Sequence, residues 1–99
     1  MIARLLLAAL QIAPAIGSAQ AAAQTPPVGA SSCSGCHAAR QSVDTPAPRL
    51  VGRSPADIEA AMTAFRVGQR PSSVMGRIAK GFSDDEVKAI AAWYGAQRD

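Results

Sequence analysis

Ile58, Ala61, Met62 and Phe65 recur at i, i+3, i+4 and i+7, which predicts one helix with a single apolar stripe. Its start is marked by Ser54 as N-cap, Pro55 at the first helical position and Asp57 in the first turn, and its end by Gly68. A second stripe, Val87, Ile90, Ala91 and Tyr94, follows Ser83-Asp84-Asp85-Glu86, the Ser-x-x-Glu capping box, so a last helix should run from there to about residue 97. Between the two, Val74 to Lys80 has room for one or two helical turns between Pro71 and Gly81. Upstream, Cys33 to Arg40 fits a short helix, and Pro46 and Pro48 force an extended loop after it. No segment alternates with period two, so the expected fold is all-α.

The N-terminal third reads differently. Arg4 precedes an apolar stretch from Leu5 to Ile16, interrupted by Gln11 and Pro14, and Gly17 to Ala21 ends in an Ala-x-Ala pattern. This is the layout of a secretory signal peptide over residues 1–21, with cleavage after Ala21 or after Ala23, and the stretch is too short for a bilayer span of about 20 residues. The expectation is export to the periplasm with no stable membrane insertion once the leader is removed. Residues 22–32 are small, polar and proline-containing, and are expected to form a flexible arm at most one loose turn long. Residues 33–99 then make a single domain.

That domain is short of core. The chain has 99 residues and 48% apolar content, yet only sixteen Val, Ile, Leu, Met, Phe, Trp or Tyr follow residue 21. A domain this small needs a staple such as a disulfide, a metal or a prosthetic group. Ten Lys and Arg against seven Asp and Glu give a net charge of +3, with no cationic run, which argues against nucleic acid as a partner.

Cys33-Ser34-Gly35-Cys36-His37 supplies the missing piece, because two cysteines at i and i+3 with histidine next is the attachment pattern of c-type haem. Both sulfurs can reach one edge of a porphyrin and add to its vinyl groups, with the histidine left beneath the iron. Burying a haem contributes about 25 cal/mol per Å² of apolar area, which offsets the thin core. Structural zinc needs about four Cys or His ligands and finds three here. A thioredoxin-like dithiol needs a βαβ setting that the pattern lacks, and a plain disulfide gives no reason for the sole histidine to follow the second cysteine. For the sixth iron position the candidates are Met62, in an apolar stripe where core filling is the ordinary role, and Met75, which follows a Pro71 loop 38 residues beyond His37. Met75 is the expected ligand, giving His/Met ligation and electron transfer rather than small-molecule binding.

These residues resemble the class I c-type cytochromes, and the resemblance covers nearly all of 33–99. Pro48-Arg49-Leu50-Val51-Gly52 is similar to that family's Pro-x-Leu-x-Gly element, which implies that the Pro48 carbonyl accepts a hydrogen bond from the His37 ring. The stretch from Phe65-Arg66-Val67-Gly68 through Val74-Met75-Gly76-Arg77 to Ser83-Asp84-Asp85-Glu86 looks most like the monohaem subunits of flavocytochrome c sulfide dehydrogenases. The resemblance implies three to five short helices around one haem c attached through Cys33 and Cys36. It also implies a non-catalytic electron carrier that takes electrons from a flavoprotein dehydrogenase subunit and passes them to a soluble cytochrome or oxidase. A free-standing cytochrome c serving another dehydrogenase or oxidase is the alternative, and a haem-based sensor with an open iron site a more distant one. In that family an N-terminal helix crosses the last helix, whereas here only residues 22–32 separate the leader from Cys33.

Overall fold

The chain folds in the order α1 (Ala30–Cys33), α2 (Pro55–Arg66), α3 (Met75–Ala79) and α4 (Asp84–Ala96), with no strand among the described residues. The computed structural model describes residues 25–72 and 74–98; the expected leader over 1–21 and both cleavage points lie outside them. The all-α expectation therefore holds for the described part.

Local rules explain where the long helices begin and end. At α4 the Glu86 amide donates to Ser83 Oγ at 3.2 Å and the Ser83 amide to Glu86 Oε1 at 3.0 Å, so the capping box is closed in both directions. These bonds favour the charged carboxylate and hold Glu86 below its ordinary pKa. At α2, Pro55 occupies the first helical position as expected, but Ser54 caps by place alone, its hydroxyl making no cap bond. The helix closes in a Schellman motif, with the Gly68 amide on Phe65 O at 3.3 Å and the Gln69 amide on Ala64 O at 2.9 Å.

Helix α2 packs against both α3 and α4. The central cluster is Ala30, Ile58, Ile90, Ala91 and Tyr94, flanked by half-buried Cys33, Leu50, Val51, Met62, Phe82 and Trp93. The expected α4 stripe is buried in full. In the α2 stripe only Ile58 is buried, while Ala61, Met62 and Phe65 remain half-exposed.

Two expectations about the N-terminal part need correction. The short helix is Ala30–Cys33, not Cys33 to Arg40, because Ser32 Oγ donates to Gly29 O at 2.7 Å and Ser34 Oγ to Ser31 O at 2.8 Å. Such side-chain bonds to nearby carbonyls favour a tight turn over continued helix. The arm expected over 22–32 is also not loose throughout. Ala30 is fully buried and its carbonyl accepts the Tyr94 hydroxyl at 2.6 Å, so the start of α1 is seated against α4. Burial, and secondarily the nearby Cys33 sulfur, pushes the Tyr94 phenol above its ordinary pKa. A raised phenol pKa leaves this contribution intact at neutral pH, and it is lost only as pH climbs past the ordinary tyrosine range. Tyr94→Phe should cost about 1–3 kcal/mol by stranding a buried carbonyl, read as a lower denaturant midpoint at unchanged slope.

Candidate haem site

Cys33, Cys36 and His37 are brought together by one turn, in which the Cys36 and His37 amides both donate to Cys33 O, at 3.2 and 2.9 Å. Both cysteines are free thiols, Cys33 half-buried and Cys36 exposed. Burial pushes the Cys33 thiol above its ordinary pKa, so it stays protonated at neutral pH. Cys33 Sγ also lies 3.7 Å from Gly29 O, which ties the first sulfur to the base of α1.

The next residue of interest comes from the proline loop. His37 Nδ1 lies 2.5 Å from Pro48 O. A carbonyl can only accept, so Nδ1 carries the proton and Nε2 keeps its lone pair for a Lewis acid. Arg49 reinforces the pairing of the two segments by donating from Nη2 to Ala39 O at 3.0 Å. Four residues on, the Arg53 amide returns to Leu50 O at 3.1 Å, closing a turn whose third residue, Gly52, has φ +75°, a conformation that favours glycine. The Gly52 amide then bonds to Tyr94 O at 3.0 Å, anchoring the whole Pro48–Gly52 element to α4.

Met75 stands on a different element, as the first residue of α3, and is half-buried. Its neighbour Gly76 donates from its amide to Ser72 Oγ at 2.8 Å. Met62, the other thioether, packs against the central cluster, as core filling requires.

The residues present fit a haem in donor chemistry and in surface. Two free thiols and an imidazole with a fixed tautomer occupy one turn. Around the candidate ligands large apolar side chains lie open: Val43 is 50% exposed, Val74 54% and Ile78 40%. Val43 shares a shallow cleft with Cys36, Ala38 and Ala39, while Val74 and Ile78 lie near Met75 along the chain, so each segment offers exposed apolar surface to a flat group. Among the described residues no cluster of three His, Cys, Asp or Glu side chains is arranged to hold a metal ion by itself.

Two features escaped the sequence. Arg66, one cation among ten Lys and Arg, makes three separate hydrogen bonds across the α3–α4 junction. Gly95 sits so close to the chain before α2 that a Cβ there would lie 2.8 Å from Arg53 O and 2.7 Å from Pro55 Cγ. Nothing local in the sequence marks either, since both roles depend on residues far away along the chain.

No protein-family model matches the chain. It is 42% identical over 64 residues to the cytochrome subunit of sulfide dehydrogenase of Chlorobaculum tepidum, covering 65% of this chain and 58% of that protein. It is 39% identical over 66 residues to a thiosulfate dehydrogenase electron acceptor of Stutzerimonas stutzeri, covering 63% of this chain and 31% of that protein. With cytochrome c-554(548) of Halomonas halodenitrificans the identity is 35% over 69 residues, which is 66% of this chain and 83% of the relative. The chain belongs to the c-type cytochromes. This cytochrome spans 58% and 31% of the lengths of the first two relatives, one named a dehydrogenase's cytochrome subunit and the other a dehydrogenase's electron acceptor.

Proposed function

We propose that this cytochrome is exported to the periplasm, where it carries electrons through one haem c joined to Cys33 and Cys36, with His37 and Met75 as axial ligands. Residues 33–99 form the haem domain on this reading, and 1–21 the leader. The observation that carries it is the His37 Nδ1 to Pro48 O contact, which fixes the ring and leaves Nε2 as the one free imidazole nitrogen in the chain. Among the described residues no helix is long and apolar enough to cross a membrane.

Bound haem supplies an iron that exchanges one electron at a time. The chain's residues set the conditions for that exchange. Pro48 O accepts the hydrogen bond from Nδ1–H and prevents the ring from rotating. Met75 contributes a soft thioether, which raises the potential relative to an oxygen or nitrogen ligand and closes the site to small molecules. The exposed apolar side chains of Val43, Val74 and Ile78 would help exclude water from a bound porphyrin.

The donor we assign is a flavoprotein dehydrogenase subunit of the sulfide-oxidising type, and the acceptor a soluble cytochrome or oxidase. The 42% identity to a sulfide dehydrogenase cytochrome subunit supports this choice, and the stretch 65–86 carries the same resemblance. Affinity capture of the full chain from periplasm should recover a flavin-containing protein that reduces the ferric form when sulfide is added. Capture of the cytochrome alone, still reducible by other dehydrogenases, would point instead to a free-standing carrier. Rapid carbon monoxide binding by the resting ferrous protein would point to a sensor and sink both carrier readings.

A further inference from the structure

We propose that Arg66 is the positioning residue for the iron–Met75 bond, a role that rests on Met75 being the axial ligand. Helix α3 has five residues, Met75–Ala79, far too few to be stable alone. Something must hold it where its sulfur is needed. Arg66, the last residue of α2, does so with one guanidinium: Nε donates to Ala79 O at 3.3 Å, Nη2 to Phe82 O at 2.9 Å, and Nη1 to Asp84 Oδ1 at 2.5 Å. One side chain thus joins the end of α2, the end of α3, the connecting turn and the first residue of α4.

The placement bears directly on Met75. Ala79 lies four residues after Met75, so the two share one face of α3, and Ala79 is fully buried. Carbonyls at a helix end have no partner within the helix, and Arg66 satisfies the one at Ala79 with a charged donor. The two carbonyl bonds carry the function rather than the ion pair. The Asp84 side chain is 90% exposed against 26% for Arg66, and exposed ion pairs contribute little. Lysine, a single point donor, cannot reproduce a planar fork that reaches three acceptors.

The test uses the holoprotein and asks how readily imidazole displaces the sulfur from ferric iron. Arg66→Leu should bind imidazole about tenfold to a hundredfold more tightly than the parent, the size expected for lost hydrogen bonds from a charged donor. Arg66→Lys should fall between, and Asp84→Asn should stay within about twofold of the parent, as an exposed pair implies. The Arg77 and Ile78 amides, both bonded to Val74 O, should exchange hydrogen faster in Arg66→Leu. Tyr94→Phe serves as the control for plain destabilisation: it should lower global stability and leave imidazole affinity alone. Parent-like imidazole affinity in both Arg66 variants overturns the proposal, as does an equal gain in Tyr94→Phe. Should Arg66→Leu fail to accumulate, Arg66→Lys decides by the same criterion. Met75→Leu separates the two layers of the argument. If it leaves the ferric spectrum unchanged, the ligand assignment fails; if it abolishes the sulfur–iron absorption while the Arg66 variants behave as the parent, only the Arg66 role fails.

Discussion

Replacing Met75 with leucine should remove the sulfur–iron absorption of the ferric protein, let carbon monoxide bind the ferrous form, and lower the midpoint potential by on the order of 0.1–0.3 V. That drop sits within the roughly 0.8 V over which axial ligands set haem potentials. The physical reason is that a thioether stabilises ferrous over ferric iron, and no other soft donor stands on α3. Leucine has nearly the same volume, so the fold should survive with a change below about 1.5 kcal/mol. Met62→Leu is the matched comparison. Met62 packs against the central cluster, and the same swap there should leave both spectrum and potential untouched. Visible spectra and redox titration of the two variants side by side decide the assignment, and a reversed outcome would transfer the ligand role to Met62.

The second large effect is expected at Gly29. Its φ is +87°, and a Cβ built there would lie 2.5 Å from Phe82 Cε1 and 3.2 Å from Cζ. Gly29→Ala therefore meets backbone strain and a steric clash together, and should cost about 2–4 kcal/mol. Gly68→Ala isolates the backbone part, since Gly68 has φ +77° but nothing within 4 Å of its would-be Cβ, and should cost about 1–2 kcal/mol. Chemical denaturation of both variants measures the difference. The site should feel only the first change, because Gly29 O accepts from the Ser32 amide, from Ser32 Oγ and from Cys33 Sγ. Moving that carbonyl unseats the first cysteine, so Gly29→Ala should also lower the yield of haem-loaded protein.

What was legible in the sequence was whatever local chemistry decides. Ser83 and Glu86 lie three residues apart and cap one helix; Pro55 and Gly68 bracket another; Val87, Ile90, Ala91 and Tyr94 fall on one face by period alone. The cysteine pair and His37 are contiguous, and Pro48 follows at a separation short enough for a loop to return. The contacts that escaped are those joining distant parts of the chain. Gly29 meets Phe82, Arg66 reaches Asp84, and Gly95 abuts Arg53, each pairing fixed by how the helices cross rather than by any pattern of neighbours. The half-exposed α2 stripe has a related cause. Its periodicity marks Ala61, Met62 and Phe65 as inward-facing, yet how far they are covered depends on how α2 meets α3 and α4, which lie further along the chain.

The Tyr94 to Ala30 bond closes a loop of 64 residues, and closing a flexible loop that long costs about 4 kcal/mol in chain entropy. Synthesis proceeds from the other end, so the cysteine-bearing turn is made first and acquires its final seat last, once α4 exists to receive it. On the proposed attachment, the sulfurs would be joined to a porphyrin while that turn still lacks its seat on α4. In the finished fold the turn before Cys33 is latched to α4, so it comes free only when α4 itself detaches.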